Sequence, residues 1–149
     1  MSNNPFSPYI KGTPPAAPPE PNPSIPRVVV LDPFAEAVTS YSIGWADLIS
    51  LETVFIIGNT TTIGVGGVTI YLPQVGVGNS GYKITVQSMS VDDVIVEPAA
   101  GSAVDGDSLY SQTIKPANGG GTGVITSATY IADNQLAPQW YTLYNYFKI

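Results

Sequence analysis

Few residues in this chain have the types and spacing that chemistry needs. The nearest to a catalytic pair is Asp92-Asp93, two adjacent carboxylates in a short polar break. A retaining glycosidase needs two carboxyl groups about 5 Å apart across the scissile bond. Neighbours in a strand point to opposite faces, and in a turn the sequence does not fix where they point. The plainer reading is two solvated loop carboxylates. Asp105-Gly106-Asp107-Ser108 has the Asp-x-Asp spacing of a calcium-loop fragment, but the residues up to Thr113 supply no closing Glu. Asp-Gly reads more simply as a tight turn. Gly64-Val65-Gly66-Gly67 and Gly119-Gly120-Gly121 look like phosphate cradles, yet neither is followed by Lys-Ser/Thr or a helix to hold an anion. They read as hairpin and loop glycines.

The missing residue types decide more. The 149 residues contain no histidine and no cysteine. The commonest general base, thiol nucleophiles, disulfides and thiolate metal sites are therefore closed to it. A protein that is not an enzyme, with no cofactor and no metal, is the expectation. Lys and Arg number five against eleven Asp and Glu, for a net charge of −6. Five cations cannot neutralise a phosphate track, so a nucleic-acid partner is not expected. No apolar run approaches the ~20 residues of a membrane span, and Met1–Pro8 has no secretory pattern. Charged residues make up 11% of the chain, under half the usual share, while hydrophobic residues reach 44%. Such a surface suits a β-rich protein partly covered by other chains.

Residues 1–26 carry nine prolines. Proline fixes φ and lacks an amide donor, which rules out a helix or a central strand. A polyproline-like arm is expected, spanning on the order of 40 Å from Thr13 to Pro26. Either it is a solvated tail or it is a tether. Phe6, Tyr9 and Ile10 at its far end favour the tether, since disordered tails are poor in such residues.

From residue 27 the chain reads as short strands broken by turn residues, an all-β domain over 27–149. Val28-Val29-Val30-Leu31 is an apolar strand, buried on both faces or packed between chains. Val38–Ile43 reads as the next strand. Trp45, Leu48, Ile49 and Leu51 share one helical face, so 45–51 is a candidate short helix. Glu52–Ile57, Thr60–Ile63 and Val68–Leu72 follow as strands. Tyr82–Val86 alternates with period two and pairs in the simplest arrangement with Val94-Ile95-Val96, antiparallel across Met89–Asp93. Leu109–Lys115 and Val124–Ala132 are further strands. The closing run sets Trp140, Thr142, Tyr144, Tyr146 and Lys148 on one face, and Tyr141, Leu143, Asn145, Phe147 and Ile149 on the other. A strand with two such faces wants cover on both. Either it is buried within its own chain or a neighbouring subunit covers it, and Trp140, Tyr144, Tyr146 and Phe147 are the candidate oligomer interface.

The order Leu72-Pro73, a Gly/Asn loop, Ile84-Thr85-Val86, Val96-Glu97-Pro98, Asp105-Gly106 and Trp140-Tyr141 resembles a domain of bacteriophage head and tail fibre proteins. The resemblance covers 68–149. It implies a β-sandwich or β-prism, a homotrimer, and an N-terminal segment held on the virion. The quoted residues would be structural positions of that fold. The Gly-rich loop at 118–123 and the long aromatic ending depart from the pattern, and 27–67 has no counterpart in it.

Three functions compete. The first is a non-enzymatic head fibre or capsid decoration protein at the virion surface, bound to a capsid or other virion protein through 1–26 by way of Phe6, Tyr9 and Ile10. The second is a receptor-binding fibre tip recognising a host surface glycan, with the loops 74–80 and 118–123 and the C-terminal aromatics as contacts. The third is a glycosidase built on Asp92 and Asp93.

Overall fold

A computed structural model of the chain describes residues 25–32, 38–58, 67–90, 92–115 and 122–147. Nine strands form along them: β1 Arg27–Leu31, β2 Ser40–Ser42, β3 Glu52–Ile57, β4 Val68–Leu72, β5 Lys83–Ser88, β6 Val94–Pro98, β7 Gln112–Ile114, β8 Ile125–Asp133 and β9 Gln139–Phe147. They build two sheets, ordered β1-β3-β5-β8-β9 and β2-β4-β6-β7. Through β6 the chain alternates between sheets, so β1, β3 and β5 are parallel, as are β2, β4 and β6. Antiparallel β7 and the β8-β9 hairpin then close one side of each sheet. The domain is all-β, as the strand periodicity predicts.

Period-two patterning puts the core between the sheets. Phe55, Ile57, Ile84, Val86 and Tyr130 face it from the five-stranded sheet, and Val68, Ile70, Leu72, Val94, Val96 and Ile114 from the four-stranded one. Each is fully enclosed, which is worth on the order of 1.5–3 kcal/mol per side chain relative to exposure. Tyr130 takes its hydroxyl inside and shares a 3.0 Å hydrogen bond with the Tyr110 hydroxyl. Burial, followed by that hydrogen bond, raises the Tyr130 pKa far above the usual phenol range.

Three expectations need correction. The 45–51 helix is a single 3-10 turn, Trp45–Asp47. Two turns are too short to hold themselves, and Lys83 N–H already takes the Leu51 carbonyl into the sheet. Leu48 is buried while Ile49 and Leu51 are exposed, so the apolar positions do not share a face. The β5 and β6 runs do not pair with each other. The link between them crosses from one sheet to the other, Met89 N–H donating to the Ile57 carbonyl and Val68 N–H to the Asp93 carbonyl. Alternation identifies a strand's faces but not its partner.

The third correction lies in β9. Tyr130 is opposite Thr142 and Thr129 opposite Tyr144, which leaves Leu143 as an extra residue on the strand. Such a bulge turns the residues beyond it onto the other face. Tyr144 and Tyr146 therefore join Tyr141 outside, and Asn145 turns inward opposite Ala128. The candidate strand Thr60–Ile63 and the hairpin glycines at 64–66 lie outside the described residues.

Candidate interaction surface and the tryptophan corner

Trp140 sits at the end of the fold where distant segments converge. Its indole Nε1 donates to the Pro73 carbonyl at 2.7 Å, and its ring stacks on Trp45 with centroids 5.7 Å apart. Trp45 in turn donates Nε1–H to the Gln74 carbonyl at 2.8 Å and meets Tyr82 edge-on. The Trp140 backbone is held by Ala103 and Asp105, through Trp140 N–H to Ala103 O and Asp105 N–H to Trp140 O. Asp105 and Gly106 both have positive φ, and Val104 and Asp107 exchange two backbone hydrogen bonds around them. That is the geometry of a type I′ turn, which Asp-Gly favours. Leu72-Pro73, Asp105-Gly106 and Trp140, up to 68 residues apart, are thus one packed corner.

Three of the four carboxylates singled out for chemistry, Asp93, Asp105 and Asp107, are engaged in holding backbone or a cation. Asp105 accepts from Thr142 N–H at 2.9 Å and Asp107 from Leu109 N–H at 2.8 Å. Asp93 forms an ion pair with Lys115 at 2.7 Å, while Asp92 N–H donates to the Ser90 hydroxyl. Among the described residues no three acidic side chains come together as a metal site. An open cleft of about 400 Å³ beside the tryptophan corner is lined by Gly101, Ser102, Gly106, Ser108 and Pro138 among others, with no titratable side chain among the described residues of its wall. Of the two candidate contact loops, 74–80 is tied by Asn79 to Gly76 and by Asn134 to Val77 and Ser80, and Val77 points into solvent. Most of 118–123 lies outside the described residues, as do Phe6, Tyr9 and Ile10.

No protein-family model and no curated protein matches this chain.

The surface that stands out is the outer face of the five-stranded sheet. Two registered rows cross it from edge to edge: Val28, Val54, Thr85, Thr129, Tyr144 and Val30, Ile56, Gln87, Ser127, Tyr146. At one edge Val28 and Val30 are 59% and 68% exposed; at the other Tyr144 and Tyr146 are 57% and 63% exposed. Between them the Thr85 and Thr129 hydroxyls bond to each other at 2.7 Å. Among the described residues the charges on this face are Glu52 and Lys83, set opposite each other at one end, and Asp133 at the same end of β8.

Of the four residues expected at an interface, Tyr144 and Tyr146 lie on this face and Phe147 is half exposed at the end of β9. Trp140 does not belong with them. It is fully enclosed within its own chain and has no surface to offer a partner. The valines of β1 escaped sequence reasoning as partners of the tyrosines, because more than a hundred residues separate the strands. The available signal was the unbroken apolar run Val28–Leu31, which the structure does not bury on both faces.

Proposed function

We propose that the chain is a non-enzymatic structural protein of a viral particle, a head fibre or capsid decoration protein. In this reading it stands at the virion surface as a homotrimer, held to a capsid or other virion protein by the proline-rich residues 1–26. The observation that carries it is the tryptophan corner. Leu72-Pro73, Asp105-Gly106 and Trp140, quoted above for their likeness to phage fibre domains, meet in one hydrogen-bonded cluster. Residues so placed serve the fold, which is the role the resemblance implies for them. The exposed valines and tyrosines support a chain that spends its life against other chains, since large apolar side chains clustered on a surface mark contact sites.

Co-sedimentation with virus particles tests the anchoring. The full chain is expected to pellet with them, and a chain beginning at Arg27, folded by circular dichroism, to stay in solution. Pelleting of both would contradict anchoring by the arm, and of neither would contradict the virion reading.

Tyr144 and Tyr146 also favour a second reading, a fibre tip that takes a host glycan on an aromatic platform. It requires those rings to stay open to solvent in the assembled protein. Binding to a glycan array that is lost in Tyr144→Ala would support it over the first.

A further inference from the structure

The outer face of the five-stranded sheet has two unlike ends. Aliphatic Val28, Val30, Val54 and Ile56 occupy β1 and β3, and aromatic Tyr144 and Tyr146 occupy β9, with hydroxyl and amide side chains between. We propose that this face is covered by a second copy of the same chain, the aliphatic end of one copy lying over the aromatic end of the next. The inference rests on the homo-oligomeric part of the proposed function and specifies its contact.

Charge selects the occupant. The protein is acidic, at −6, so two copies repel wherever their surfaces carry that charge. This face carries little of it, because Glu52 and Lys83 oppose each other in register and Asp133 alone is left over among the described residues. Two acidic copies can approach there at low electrostatic cost, and a face with a net negative charge offers little to a phosphate backbone or an anionic bilayer. Area agrees. Five strands at ~4.8 Å spacing, with lengths of five to nine residues at ~3.4 Å each, make a face on the order of 400–700 Å² before side-chain relief, close to the ~600–1,000 Å² per partner of a stable interface.

The two unlike ends set the pairing. Aliphatic against aromatic satisfies both ends at once in a ring closed head to tail. Like against like needs a two-fold axis, which a three-fold ring does not have.

The absence of cysteine makes the pairing directly readable. Val30→Cys and Tyr144→Cys both fall at exposed positions, so the fold tolerates them, and melting curves check this. The two single variants, one carrying a mass tag, are co-expressed, purified and treated with a short bis-maleimide. The expected result is an oligomer by light scattering in which the mixed Val30→Cys–Tyr144→Cys link exceeds either like-with-like link at least tenfold. An oligomer with like-with-like links dominant, or with no link, overturns this pairing and leaves the oligomeric reading standing. A monomer overturns both, and a monomer whose cysteines resist the reagent assigns the face to a segment of its own chain.

Discussion

The two sheets have equivalent inner faces and unlike outer ones. On the four-stranded sheet the outward rows are Ser40, Thr69, Ile95, Thr113 and Ser42, Tyr71, Glu97, a surface that water can cover. On the five-stranded sheet the corresponding rows begin in valine and end in tyrosine. Both sheets have the same parallel core and sit on the same hydrophobic interior, so folding alone does not require the difference. What separates them is what each outer face meets. A polar row suits solvent, whereas exposed valines and tyrosines in register suit another protein surface.

The core that both sheets share gives the largest effect against which the faces can be judged. Trp140→Ala removes a fully buried indole, its hydrogen bond to Pro73 and its stack on Trp45, and is expected to destabilise the fold by roughly 3–5 kcal/mol in urea unfolding. Tyr144→Ala, on the outer side of the same strand, is expected to change unfolding of the isolated chain by less than about 1 kcal/mol. Comparable losses would mean that the outer tyrosine is structural and not an interface residue.

A charge placed on each face comes next. Val30→Asp on β1 is expected to weaken self-association about 30-fold or more, the ~2 kcal/mol of an interface hot spot, and Ser42→Asp on β2 to leave it within about twofold. Both are exposed positions on edge strands, which makes the pair a fair contrast. Dissociation constants from analytical ultracentrifugation decide it, and equal effects would erase the distinction.

Alkali should act on the interior through Tyr130. The fold holds the Tyr130 phenol neutral, so its folded pKa lies above the unfolded value near 10. The unfolded chain then releases a proton that the folded chain keeps. The stabilisation is complete below about pH 10 and is lost as pH rises above it, at up to ~1.4 kcal/mol per unit. Denaturant titrations between pH 8 and pH 11 should show this slope, and Tyr130→Phe should remove Tyr130's share of it.

The smallest change concerns Thr53, whose hydroxyl is fully buried without a hydrogen-bond partner among the described residues. Thr53→Val is expected to raise stability by ~0.5–1 kcal/mol, seen as a higher melting temperature. A loss instead would reveal a partner for that hydroxyl.

Much of this fold was legible because alternation is local. Glu52–Ile57, Val68–Leu72, Tyr82–Val86 and Val124–Ala132 announce strands from their own side chains, and Asp105-Gly106 announces its turn from the positive φ that Asp-Gly tolerates. Strand partners were not legible. A chain that visits the two sheets alternately pairs β3 with β5 and β4 with β6, and nothing within β5 or β6 records that choice. The helix over 45–51 failed for a related reason, as sheet hydrogen bonds at Leu51 override a weak two-turn preference. At the candidate surface, Tyr144 and Tyr146 were visible as aromatics in want of cover. A single bulged residue, Leu143, decided that they face out while Trp140 faces in. No period-two reading carries an inserted residue.

The most direct test of the account is the mass of the full chain by light scattering after size exclusion, measured across a hundredfold range of concentration. A discrete species at three times the chain mass, holding on dilution and lost in Val30→Asp but not in Ser42→Asp, is the predicted result. A monomer throughout, with the valine and tyrosine rows freely exposed, would contradict it.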